Sequence, residues 1–502
     1  MFKSMSKNPI LWTDGYKLCH KDQYPAHTEW VYETWTPRMS RIEGISHVVF
    51  FGLQGALAEI TDSFDRYFFA QEEADVVAAY EEAIASVFAS TNADFANTHQ
   101  SSHIRDLHRL GYLPIKVNAL KEGSLVPIGV PMFTIENTHP DFFWLPGYLE
   151  TQLSAYIWSP MTAATIADRY QRLLTGFAEQ TGDVKKVFTQ AGDFSMRGMG
   201  APEAAYRTAG GHLLSFGVSA TLSVREYLKT YYKAESDVMM YTPSTEHSVM
   251  CSYGEQETDA FRHLITEVYP SGNISIVSDT YDLWNVVDHV LPQLKELIME
   301  REGKVVIRPD SGDPVKIICG DADSDCTTVQ KGIVERLFEL FGGTTNDKGF
   351  KELDPHIGVV YGDSITVERA NKICQGLMEK GFASTNVILG IGSYTYQYVT
   401  RDTFGFALKG TAEIVDGQFK AIQKRPATDT GNFKKSQKGM VAVIDEANDF
   451  RLIDDLNPQT VAELKDKNLL QECYLDGKFV YMSSFEEIRN RLKTETIRVY
   501  GK

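Results

Sequence analysis

KVVIRPDSGDP, residues 304–314, decides how the rest of the chain is read. Four residues rich in Val and Ile run straight into Arg308, Pro309 and Asp310, then into a Ser-Gly-Asp turn. A short, continuously apolar run that stops at turn residues predicts a strand buried on both faces. Its last residues carry the polar chemistry. The same design recurs in AGDFSMRG (191–198), TPSTEHS (242–248), ISIVSDTYD (274–282), IGVVYGDS (357–364) and VILGIGS (387–393). These runs end near Asp193, His247, Asp279, Asp363 and Gly392. In a (β/α) barrel the strand C-termini converge on one face, and chemistry is done there. Six such tips carrying His, Asp, Arg and Gly point to an enzyme acting on an anionic substrate.

A further run, HLLSFGVSAT (212–221), fills the gap after the first tip, and ERANKICQGLMEKGF (368–382) has helical apolar spacing. Tips then follow at roughly the length of a βα unit. The polar stretch GGTTNDKGFKELDPH (342–356) reads as an exposed loop. Seven strands are expected in the core. The expected class is α/β: an irregular (β/α) barrel-like core with a second α/β domain and a helical segment. The expected division is 1–184 (mixed α/β and helical), 185–395 (catalytic core) and 396–502 (β-rich, packing with the N-terminal region). Residues 55–110 read as helical, and 112–137 as strands with Gly and Pro turns. FGFALKGTAEIVDGQFKAIQK (404–424) reads as a hairpin on VDGQ, and MVAVIDEANDFRLIDD (440–455) as an antiparallel pair.

Composition limits the function. The 502 residues are 43% hydrophobic, enough for a large core, and the net charge is −17. An acidic chain disfavours nucleic acid and anionic membranes, whose phosphates need a basic surface. The 6 cysteines form no CxxC pair and read as reduced thiols of a cytoplasmic protein. Neither a signal peptide nor a membrane span is expected.

Each motif has a functional and a structural reading. In RPDSG (308–312), Arg308 can stack on a planar ring or bind an anion, and Asp310 can hold ribose hydroxyls or a metal. The alternative is a structural Arg–Asp pair. His247 with Asp279 reads as an oriented proton carrier or nucleophile, against a buried, merely satisfied histidine. The turns at Gly362–Asp363 and Gly390–Ser393 can offer N–H groups to phosphate, but many turns hold two glycines. Arg401, Lys409, Lys424, Lys434, Lys435 and Lys438 form a basic stretch, readable as a phosphate clamp or as a solvated loop. DADSDC (321–326) lacks the Gly and Glu of a calcium loop. There is no P-loop.

Together, TDGYKLCHKDQYP, FFGLQ, DFSMRG, PSTEHS, SIVSDTYD, IRPDSG, YGD, TRD, FALKG and SQKG, in that order, resemble the nicotinamide phosphoribosyltransferases, a type II phosphoribosyltransferase family. The resemblance implies transfer of phosphoribosyl from 5-phosphoribosyl 1-pyrophosphate to nicotinamide in NAD salvage. It implies Mg²⁺, ATP as a coupling co-substrate through a phosphohistidine, and a homodimer with shared active sites. Phe194 would stack on the pyridine, with Tyr16 of the other subunit on the opposite face. Arg308 would lie beside the ring, and Asp310 would hold the ribose. Ser275, Gly362, Asp363, Gly392 and Ser393 would also line the substrate. Arg401 and Lys409 would reach the 5′-phosphate from the partner. Arg38, Arg197, Lys424 and Lys434 would face pyrophosphate or ATP phosphates. His247 would be phosphorylated, with Asp279 as its partner. Asp279 and Asp310 are the candidate metal carboxylates, acting through water.

Five positions depart from the family pattern. Ala220 stands where relatives carry an acid that recognises the amide, and Gly192 where they carry His. The triple-Gly loop is Gly392-Ser393-Tyr394, and a phosphate-side Ser is Ala407. These leave open a nicotinate acceptor, a larger donor such as ADP-ribose pyrophosphate, and a non-catalytic pyridine-nucleotide-binding protein.

Overall fold

The computed structural model describes residues 6–501 except 236, 427, 429–434 and 448. The chain forms two compact units. The first comprises Met1–Thr162, Tyr227–Ala234 and Thr400–Lys502; the second comprises Ala163–Glu226 and Glu235–Val399.

The first unit is built on a seven-stranded antiparallel sheet. Its order is Gln418–Ala421, Ala407–Val415, Thr28–Thr36, Phe133–Asn137, Ile115–Ala119, Gln471–Leu475 and Lys478–Phe479. Aromatic and β-branched residues fill these strands because they pack well on a pleated surface. Trp35 lies between Phe133 and Phe406, with centroids at 5.9 and 5.5 Å and nearly parallel planes. The hairpin expected at VDGQ forms. Asp416 and Gly417 both have positive φ (51° and 69°), the turn geometry that matches strand twist. The pair Met440–Glu446 and Asp449–Leu456 also forms. The helix Leu53–Phe64 starts where the Glu122 carboxylate accepts from Gln54 N–H at 2.7 Å, capping an otherwise orphaned donor.

The second unit carries the expected parallel core. Its sheet order is Val218–Ser219, Ala191–Asp193, Val387–Ile391, Ile357–Tyr361, Val305–Arg308 and Ile274–Val277, every pair parallel. These strands are almost wholly buried, which is why they read as unbroken apolar runs. Helices such as Ile333–Phe341 and Val367–Glu379 connect them; Thr366 caps the latter by accepting from Arg369 N–H.

Two segments depart from the expected structure. TPSTEHS is not a strand. Residues 240–244 make one parallel bridge to each edge of the sheet, Val218 to Met240 and Ser244 to Ser275. Pro243, lacking an N–H, limits the ladder to these bridges. His247 instead opens the short helix His247–Cys251. The segment thus acts as a seventh stave joining the two outer strands. The stretch 342–356 is not a plain loop: Gly343–Thr345 and Lys351–Leu353 form an exposed hairpin. Its turn is held by the Asn346 side chain, which accepts from the N–H groups of Lys348 and Phe350, both at 3.1 Å.

Candidate active site

The second unit carries eleven of the expected residues at or near the C-terminal ends of its strands, and their anchor is Asp193, a strand tip that is not itself exposed. Asp193 is fully buried. Its carboxylate accepts from Ser195 N–H (3.1 Å), Ser195 Oγ (2.6 Å), Ser219 Oγ (2.8 Å) and Thr221 Oγ1 (2.8 Å). Asp193 is thus the knot beneath the site and not a tip open to ligand. It fixes the next residue, Phe194, whose N–H donates to Ile391 O at 2.9 Å. The Phe194 ring needs glycines around it. A Cβ on Gly390 would lie 2.6 Å from the ring, and one on Gly192 would lie 3.1 Å from it. Tyr241 meets the ring edge-on at 6.2 Å. The result is a partly open aromatic face on a glycine floor, suited to a flat heterocycle.

Beside it, the tips of Ile274–Val277 and Val305–Arg308 are tied together by Asp279. One carboxylate oxygen accepts from Asp310 N–H (2.8 Å) and Ser311 N–H (2.7 Å). The other, Oδ1, is buried with no hydrogen-bond partner, as is Asp310 Oδ1. His247 Nε2 stands 3.8 Å from both Asp279 Oδ1 and Asp310 Oδ2, an electrostatic contact longer than a hydrogen bond. His247 Nδ1 faces the Thr280 hydroxyl at 3.2 Å. Arg308 donates to Thr245 O at 2.8 Å and lies 3.5 Å from Asp310. Burial pushes the Asp310 carboxyl above the usual carboxylate range; Arg308 opposes this, and Asp279 reinforces it. Gly362 is required because Asp310 occupies the space a Cβ would take. Ser275 is buried with its hydroxyl unpaired.

Asp363 is exposed at the next tip and accepts from Ser364 Oγ at 2.9 Å. Gly392 and Ser393 are half-buried, with Ser393 packed on Gly198 of the turn Met196–Gly198. Arg197 of that turn is exposed. Ala220 is exposed at the tip of the short Val218–Ser219 strand, its N–H held by Asp193 O at 2.8 Å.

The other expected residues belong to the first unit. Tyr16 is 56% exposed, edge-on to His20. Arg38 donates to Gly405 O at 2.8 Å. Arg401 is exposed beside Asp402. Lys409 and Lys17 both donate to Glu150, at 2.9 and 2.6 Å. Burial works against the Glu150 charge, yet Lys409 and Lys17 hold its carboxyl below the usual range. Lys424 is exposed, its N–H bonded to Ser436 Oγ. Lys434 lies outside the described residues.

Sequence reasoning missed Ser219, Thr221, Tyr241 and His212. The only available signal was the alternation of polar residues in VSAT. His212 is buried, bonded through Nδ1 to the Tyr396 hydroxyl at 2.6 Å; burial lowers its proton affinity, and Asp193 opposes that shift.

Could these residues hold a hard cation? No group of three or more His, Cys, Asp or Glu able to hold a metal occurs among the described residues. The two unpaired carboxylate oxygens of Asp279 and Asp310 nonetheless suit Mg²⁺, which keeps several waters and binds through one or two carboxylates. No helix among the described residues is long and apolar enough to cross a membrane.

Comparison with known proteins bears on the reaction. Residues 189–477 match the nicotinate phosphoribosyltransferase (NAPRTase) family, and residues 8–117 match the nicotinamide phosphoribosyltransferase N-terminal domain. The chain is 44% identical over 500 residues to a protein of Acinetobacter baylyi named nicotinamide phosphoribosyltransferase, covering 97% of each. It is 34% identical over 431 residues to a protein of the same name from Mycoplasma pneumoniae, covering 84% of this chain and 92% of the other. Its fold is similar to the crystal structure of nicotinate-nucleotide pyrophosphorylase from Pyrococcus furiosus (TM-score 0.60, 16% identity, 99% and 97% coverage). It is also similar to human nicotinic acid phosphoribosyltransferase (TM-score 0.51, 18% identity, 97% and 94% coverage).

Proposed function

The chain belongs to the nicotinate phosphoribosyltransferase family of pentosyltransferases, and from that premise we propose that it transfers phosphoribosyl from 5-phosphoribosyl 1-pyrophosphate to nicotinamide. The products are nicotinamide mononucleotide and pyrophosphate, in NAD salvage. The observation that carries this reading is the pairing of an open Phe194 face on a glycine floor with the adjacent Arg308–Asp310–Asp279 cluster.

Nicotinamide stacks on Phe194, which aims the ring nitrogen at the sugar. Arg308 lies along the carboxamide edge. Asp310 accepts from the ribose hydroxyls and stabilises the positive charge that grows at C1 as the pyrophosphate bond breaks. The ring nitrogen needs no base, so positioning supplies most of the rate. The nitrogen–C1 bond forms while the C1–oxygen bond breaks, its electron pair leaving with pyrophosphate. Mg²⁺, held by Asp279 and Asp310 directly or through water, would neutralise charge on the leaving group. Gly362, Asp363, Gly392, Ser393 and Ser275 line the sugar phosphate. Arg197 attracts pyrophosphate or ATP phosphates.

ATP couples through His247. Carboxylates lie on the Nε2 side and favour a proton there, leaving the Nδ1 lone pair as the nucleophile toward the γ-phosphorus. The Nδ1–phosphorus bond forms as the bond to ADP breaks. A second copy of the chain supplies Tyr16 to the other ring face, and Arg401 and Lys409 to the 5′-phosphate. The test is product formation with and without ATP in wild type and His247→Ala. The variant should keep slow basal transfer and lose the ATP stimulation; unchanged stimulation would overturn the assignment of His247.

A further inference from the structure

The strand tip assigned to the sugar 5′-phosphate carries two aromatic rings that this reaction does not use. Tyr394 and Tyr398 stack on one another, with centroids at 5.3 Å and planes 16° apart. They are nevertheless 57% and 78% exposed. Among the described residues neither has another aromatic partner. Both stand beside Ser393: Tyr394 follows it directly, and Tyr398 N–H donates to Ser393 O at 3.3 Å.

The platform is braced from below. Tyr396, between the two rings in sequence, is buried and bonded to His212 at 2.6 Å. Gln397 Oε1 accepts from Gly200 N–H at 3.0 Å, linking the segment to the turn that bears exposed Arg197. Core packing does not explain these rings, because their outer faces meet solvent. A parallel aromatic pair held open on a fixed backbone is a surface for a third flat ring. The neighbouring cation suits phosphate.

We propose that the site also accepts a donor whose 5′-phosphate is one half of a diphosphate bridge to a second nucleoside, with the base of that nucleoside stacked on Tyr398. This rests on the phosphoribosyl-transfer reading of the site. The bond changes are the same: the pyridine nitrogen bonds to C1, and pyrophosphate leaves with the C1–oxygen electron pair. The diphosphate bridge is untouched, so the product is a pyridine dinucleotide formed in one step.

The experiment supplies nicotinamide with either 5-phosphoribosyl 1-pyrophosphate or ADP-ribose 1-pyrophosphate and identifies products by mass. It uses wild type, Tyr398→Ala and Tyr398→Phe. One base–aromatic stack is worth about 1–3 kcal/mol, or about 5- to 150-fold. Tyr398→Ala should lower kcat/KM for the larger donor by that factor, leave the smaller donor unchanged, and be rescued by Tyr398→Phe. Turnover of the phosphoribosyl donor alone would overturn this inference and leave the proposed function standing. An equal loss with both donors, as expected if a second copy of the chain covers these rings, would overturn it as well. Failure of both donors would remove the function and the inference together.

Discussion

Replacing Asp279 separates its two jobs. As a brace, it accepts from the N–H groups of Asp310 and Ser311, at 2.8 and 2.7 Å. Hydrogen bonds to a charged acceptor contribute about 1.5–3 kcal/mol each, so the pair contributes about 3–6 kcal/mol if fully buried. Ser311 is exposed, and water would replace its bond, which reduces the expected loss for Asp279→Ala to about 2–4 kcal/mol. As a charge, Asp279 sits 3.8 Å from His247. Asn at this position keeps a carbonyl oxygen that accepts both N–H groups but removes the charge. Asp279→Asn should therefore lose less than about 1 kcal/mol of stability. Both variants should lose ATP stimulation. Only the alanine variant should also displace Asp310; a shift of about 1 Å lowers kcat/KM about 100-fold. Urea unfolding gives the stabilities, and product formation with and without ATP gives the kinetics. The reasoning is refuted if Asp279→Ala is as stable as wild type, or if Asp279→Asn keeps its full ATP stimulation.

Other positions make separate predictions. Asp193→Ala leaves four buried donors without an acceptor at about 1–3 kcal/mol each, comparable to a whole domain's stability of about 5–15 kcal/mol; urea titration should show the second unit losing its cooperative transition. Gly390→Ala drives a methyl against the Phe194 ring, so calorimetry should show weakened nicotinamide binding, with about 1–3 kcal/mol of stability lost to overpacking. Glu33 gives a pH signature: burial, reinforced by Glu150 and opposed by Lys17 and Lys409, raises its carboxyl from 4.5 to about 7. The folded state therefore binds this proton more tightly. Its contribution is complete below pH 4.5 and lost as pH rises to about 7, a difference of about 3 kcal/mol. Melting across that window should show a shallower decline in Glu33→Gln than in wild type, and an identical slope would contradict the burial argument.

The parallel core was legible because strands buried on both faces cannot alternate polar and apolar residues. VVIR, ISIV, IGVVY and VILGI therefore stand out as unbroken runs. Arg308, Asp310 and Asp279 were legible for the same reason, as the charged residues that close or follow these runs. The stave at 240–244 was not, since it is held by single bridges and carries Pro243. The hairpin within 342–356 was hidden by its exposure, because a strand with no buried face shows no apolar pattern. The depth of Asp193 was invisible too. Its partners lie next to it at Ser195 and 26 to 28 residues away at Ser219 and Thr221, and only the fold brings them together. Tyr394 stood out in the sequence only as a departure from the triple-Gly loop, and nothing in the sequence pairs it with Tyr398; their stacking and exposure belong to the fold.

The acceptor and the bond it forms define the reaction. Equimolar nicotinamide and nicotinate, offered together with 5-phosphoribosyl 1-pyrophosphate and Mg²⁺, give products that differ in mass. The account predicts nicotinamide mononucleotide as the main product, with one pyrophosphate released per turnover. Nicotinate mononucleotide as the main product, or pyrophosphate release without any pyridine nucleotide, would contradict it.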